Sequence, residues 1–233
     1  MQNINFNIRN TEVITGLFAL FAGLSLIATI LTRFEFVSFF SSFSDDLEYL
    51  KDNLHILRLN SMIWIGTSLI LTVSAATFIV MLNPFHRLFS WLTGFFMILS
   101  AAMISVSAIK GFSIIDVLTN FEQLEINAIE SLTISIFALA REKEIYITSS
   151  YTLLGLAFFS LGIFALKTRR LSIFTGIISL STGIILPVFT GLIPDSLLAD
   201  IGLLAGCITF LIIGVRLTFG GISKESEKLH KPT

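Results

Sequence analysis

Charge is what this sequence lacks most. Asp, Glu, Lys and Arg supply 13% of its 233 residues, against roughly 25% in a soluble globular domain. The shortage is uneven, because the charges fall between long apolar blocks. That excludes a water-soluble domain and makes the bilayer the solvent to reason with. Cysteine is almost missing: Cys207 is the only one. No internal disulfide and no thiolate metal site can form, and the redox compartment cannot be read from cysteine usage. Tyr and Trp number 3 and 2 against 23 Phe, and Phe, with no polar tip, is the aromatic residue most at home in hydrocarbon. A net charge of −1 gives no bulk attraction to nucleic acid.

Motifs are missing too. There is no His-Glu-x-x-His pair, no Gly-x-Ser-x-Gly elbow and no phosphate-cradling Gly-Lys loop, so zinc-hydrolase, serine-hydrolase and P-loop chemistry have nothing to rest on. No charged residue occupies the middle of an apolar block, where proton relays and voltage sensors need one. The expectation is a chain that is not an enzyme and carries no cofactor.

What is present is a set of six uncharged, mostly apolar runs: Val13 to Leu31, Ser61 to Leu82, Leu88 to Ile109, Ile147 to Leu166, Leu171 to Thr190, and Ile201 to Val215, the last continuing past Arg216 to Phe219. About 20 such residues span the hydrocarbon core as a helix, and only helices or closed barrels satisfy their backbone there. These runs are too continuous for barrel strands. The first lacks a small-residue cleavage site after it and reads as a span rather than a signal peptide. The expected fold is therefore all-α: a polytopic membrane protein with a six-transmembrane-helix bundle and short extracytoplasmic helical elements. A single membrane domain covers residues 1–221, and residues 222–233 form a polar cytoplasmic tail.

The basic residues orient it. With the N-terminus inside, the inner segments hold nine Lys and Arg and three acids, while the outer connections hold six Lys and Arg and thirteen acids. Lys167, Arg169 and Arg170, in a tight turn, give the strongest single signal for both termini in the cytoplasm of a multi-pass cell-membrane protein. Trp64, Tyr146 and Tyr151 then fall near the outer interface and Trp91 near the inner one, as belt residues.

Two longer outer connections carry the candidate sites. In the first, winding Ser44 to His55 as a helix puts Asp45, Glu48, Asp52 and His55 on one face and Leu47, Leu50 and Leu54 on the other. Glu48, Asp52 and His55 are the candidate metal ligands, and a solvated face over packed leucines is the competing reading. In the second, Ile129, Leu132, Ile136 and Leu139 repeat at helical spacing. The expectation there is an ordered helix between about Ala128 and Arg141, serving as a cover, resting on the lipid surface or extending the fourth span, with Glu122, Glu125 and Glu130 turned to water. Within the spans, Thr67, Ser68, Thr72, Ser74, Thr77, Ser100, Ser105 and Ser107 are read as packing residues or as a polar solute path. Ser179-x-x-x-Gly183 and Gly202-x-x-x-Gly206 mark close helix approach, and Pro187 removes one hydrogen bond from the fifth span.

Asn83-Pro84-Phe85-His86-Arg87-Leu88, the run from Gly155 to Gly162, the basic turn before Leu171 and the closing Gly220-Gly221 together resemble an uncharacterised prokaryotic six-helix membrane family known only as a domain of unknown function. The resemblance spans most of the chain and implies six helices but no activity. The residues themselves leave three functions open: a non-catalytic binding or assembly component, a permease for a small neutral or apolar solute, and an enzyme at the outer face. Expected partners are membrane lipid, with self-association or another membrane protein open, and not nucleic acid.

Overall fold

The computed structural model describes residues 8–32, 52–120, 126–169, 171–192 and 197–220. These residues form helices and turns, with no strand among them. The helices are α1 (Ile8–Leu31), α2 (Leu54–Leu82), α3 (Arg87–Thr119), α4 (Ile126–Thr168), α5 (Ile173–Leu192) and α6 (Leu197–Val215), the last running into a π-helical turn, Arg216–Gly220. All six are long and apolar enough to cross a membrane. The chain is thus an all-α, multi-pass membrane protein.

The helix ends follow from local chemistry. Proline cannot donate to the ladder, and α2 stops at Asn83, just before Pro84. His86 then takes an extended conformation (φ −160°) and starts α3. At the other tight turn Arg169 is left-handed (φ 51°), the conformation that commonly closes a helix. The Ser172 hydroxyl next accepts the Thr175 N–H at 3.1 Å, an N-cap for α5. The two hairpins look alike in sequence but turn by different means.

Each helix packs against its two neighbours in sequence, and α6 closes on α1, so the six form a ring. Arg9 of α1 donates to the carbonyls of Leu217 (3.2 Å) and Thr218 (2.8 Å), so the chain enters and leaves the ring at one end. Aromatic side chains fill the middle. Trp64 of α2 meets Tyr151 of α4, ring centroids 6.3 Å apart, and Phe158 of α4 meets Phe210 of α6 edge-on at 4.8 Å. In neither pair are the helices ring neighbours. Here the structure corrects the sequence reading: Trp64 and Tyr151 are 2% and 7% exposed and belong to the interior, not to an interfacial belt. Trp91, 54% exposed, keeps the outward position expected of it.

The seams are close. A Cβ added to Gly183 would stand 2.5 Å from the Phe159 backbone nitrogen, and one on Gly162 would stand 2.7 Å from that of Leu180. The Pro187 ring lies against Gly155, so α4 and α5 interlock and α5 continues through its proline. The Ser179/Gly183 expectation holds at Gly183. Gly202 and Gly206 are looser, with their nearest neighbours at 3.3 and 3.7 Å.

The two longest helices outrun the membrane furthest. At 1.5 Å per residue α3 is about 50 Å long and α4 about 65 Å, against a hydrocarbon core of about 30 Å. Their excess forms a hairpin cap beside the start of α2, with its own core of Leu57, Ile114, Ile115, Leu118, Ile136 and Ala140. The helix expected over Ala128 to Arg141 exists as the upward extension of the fourth span. Ile136 is buried and Leu139 packs against the cap core, whereas the side chains of Ile129 and Leu132 lie outside the described residues.

Candidate functional site

The sequence-derived metal ligands divide. Asp52 and His55 are exposed at the start of α2, while Leu54 beside them packs on the cap. Glu48 lies outside the described residues, as do Asp45, Asp46, Glu122 and Glu125. Among the described residues no three His, Cys, Asp or Glu side chains converge. Cys207 is a free, buried thiol.

The polar centre lies elsewhere, where cap and ring meet. Helix α4 presents one buried stripe, Ile136, Ala140, Lys143, Ile147, Ser150, Tyr151 and Leu154, set by helical periodicity. Lys143 is the charged member, only 3% exposed, between the cap residues above and the ring residues below. A buried ammonium is costly unless it is hydrogen-bonded. Its Nζ donates to Asn60 Oδ1 at 3.3 Å. The same amide donates through Nδ2 to the Thr32 carbonyl at 2.8 Å and to the Thr32 hydroxyl at 3.3 Å. Asn60 thus bonds the C-terminal end of α1 and ties it to α4. Ser61, bonded to the Leu57 carbonyl at 3.0 Å, packs on Gly111, and a Cβ at Gly111 would come within 3.8 Å of Lys143 Nζ. The absence of a side chain there makes the room. Next to this node, Lys110 and Glu142 pair at the surface. The arrangement can hold a positive charge at the level where four helices meet, and it fastens the cap to the ring.

Sequence reasoning placed Lys143 among outer-connection charges because it sits in the run Arg141-Glu142-Lys143-Glu144. The available signal was phase: Lys143 falls seven residues after Ile136 and eight before Tyr151, on the apolar stripe. Glu12 is a second charged residue that the structure buries, 0% exposed. Arg9 contacts it at 3.5 Å while reaching the carbonyls of the π-helical turn.

Several hydroxyls of the spans bond helix to helix. Ser68 meets Ser105 at 2.6 Å, Ser100 meets Ser150 at 3.1 Å, Thr93 meets Ser160 at 3.2 Å and Thr182 meets Thr209 at 2.7 Å. Ser74 donates to the Phe18 carbonyl at 3.1 Å and Thr15 to that of Thr77 at 3.3 Å. They stitch neighbouring helices, as polar side chains in membranes do.

No known family, curated protein or solved structure matches this chain.

Proposed function

We propose that this is a non-catalytic, multi-pass protein of the cell membrane, both termini in the cytoplasm, acting as a binding or assembly component. The observation that carries the reading is the aromatic filling of the ring: Trp64–Tyr151 and Phe158–Phe210 reach between helices that are not neighbours. A permease needs a continuous polar path, and of the Ser and Thr side chains that would line one, Ser68, Ser105, Ser100 and Ser74 are bonded across helix seams while Thr67, Thr72 and Thr77 bond back to their own helix. The part that stands clear of the membrane is the α3–α4 cap, which is the surface on offer to another membrane protein. Basic residues support the orientation: Arg9, Arg87, Lys167, Arg169 and Arg216 lie at the end of the ring that holds the termini, the pattern of a cytoplasmic face.

The functional reading is tested in proteoliposomes by following shrinkage and reswelling under gradients of urea and glycerol. Permeability equal to that of protein-free vesicles is expected, and protein-dependent solute entry would replace this reading with the permease. Orientation is tested with Cys207 replaced and single cysteines at Ser42, Asn127 and Ser226. An impermeant thiol reagent should label the first two in intact cells and spare the third. Labelling at position 226 would reverse the topology.

A further inference from the structure

At the terminal end of the ring a groove of about 580 Å³ opens between the first turn of α5 and the last turns of α6. That volume lies within the range of about 300–1,000 Å³ typical of ligand sites. Leu211, Ile212 and Val215 form its apolar floor, Phe174 and Phe219 stand beside it, and Ser172, Thr175 and Arg216 supply its polar edge. Phe174 and Phe219 are 64% and 74% exposed, so the groove opens sideways, toward lipid. Arg216, Phe219 and Gly220 of its lining belong to the π-helical turn. Such turns insert an extra residue into the ladder and recur at functional sites. The stem of Arg216 lies near Gly220, whose added Cβ would meet Arg216 Cγ at 3.5 Å.

Charge selects the occupant. The described charges at this end are Arg9, Arg87, Lys167, Arg169 and Arg216 against Glu12 alone, and Glu12 is buried beside Arg9. An apolar trough leading to a guanidinium and the Ser172 hydroxyl at the membrane boundary matches a molecule with an acyl chain and a negatively charged head. We propose that this groove binds one anionic phospholipid, with an acyl chain along Leu211, Ile212 and Val215 and the phosphate at Arg216 beside Ser172. The site is independent of the function proposed above and would hold for a permease as well.

Native mass spectrometry of the purified full-length chain decides it. Phosphatidylglycerol and phosphatidylcholine with identical acyl chains are supplied at equal concentration. One retained phosphatidylglycerol per chain is expected, in preference to phosphatidylcholine. Arg216→Gln should lower that retention about fivefold, the effect of one basic side chain at an anionic surface, and Arg216→Lys should keep it. Ile212→Trp fills the trough, leaves every charge in place and should remove both lipids, so it decides the matter if Arg216→Gln does not fold. Equal retention of the two lipids, undiminished retention in Ile212→Trp, or displacement of the lipid by millimolar inorganic phosphate would overturn the proposal.

Discussion

The ring and the cap are built from the same helices but answer to two solvents. In the cap, Leu57, Ile114, Leu118 and Ile136 are buried against one another where the alternative is water, and burying such a side chain is worth about 1.5–3 kcal/mol. In the ring the alternative to a neighbouring helix is a lipid tail, as apolar as leucine, so burial by itself supplies little. The ring is held instead by close backbone approach at Gly162 and Gly183, by hydroxyl pairs such as Thr182–Thr209, and by aromatic contacts across its middle. Lys143 and Asn60 sit where one rule gives way to the other. The lesson is that an apolar stripe on α4 is one continuous sequence feature with two different energetic meanings.

The sharpest break in this comparison comes from the same kind of truncation in each region. Ile114→Ala in the cap should cost about 2–5 kcal/mol, while Leu71→Ala in the ring, equally buried, should cost distinctly less. Denaturation of both variants in lipid nanodiscs reads the difference, and equal losses would erase the distinction between the two solvents. Next in size is Gly183→Leu, expected to destabilise by about 1–3 kcal/mol through overpacking. Gly66, where an added Cβ meets nothing within 4 Å, is the control: Gly66→Ala should not lower the melting temperature. The smallest effect belongs to Thr182→Val. Thr209 keeps its bond to the Ala205 carbonyl at 2.8 Å, so only one interhelical bond is lost, worth about 0.6 kcal/mol. A loss several times larger would mean that the α5–α6 seam depends on that bond far more than its neighbours suggest.

The spans were legible in the sequence because the bilayer imposes length: each uncharged run named there lies within a helix, Leu171 and Ser172 at the fifth apart, where the chain is still turning into α5. The helical phase of Ile136 and Leu139 likewise foretold a helix over Ala128 to Arg141. What the phase could not give was its destination, since a cover, a surface helix and an extended span share one pattern. Trp64 and Tyr151 were misplaced for a related reason. Depth along a helix can be counted from the sequence, but direction around it depends on which neighbours the ring brings together. The same holds for Gly202 and Gly206, whose spacing is that of a tight seam although the tight seams run through Gly162, Gly183 and Gly16. Lys143 was missed because a charge within a charged run gives no sign of burial until its stripe is traced.

The central claim is that the middle of the ring is closed by packed side chains, and one position tests it most directly. Leu154 lies on α4 between Tyr151 and Phe158, on the face that meets Trp64 and Phe210, and is fully buried. With Cys207 replaced by Ser, Leu154→Cys is exposed to a small water-soluble thiol reagent in membrane vesicles. The packed ring predicts no modification until the protein is denatured. Rapid modification of the folded protein would mean that water reaches the centre of the bundle, and would contradict both the closed ring and the function built on it.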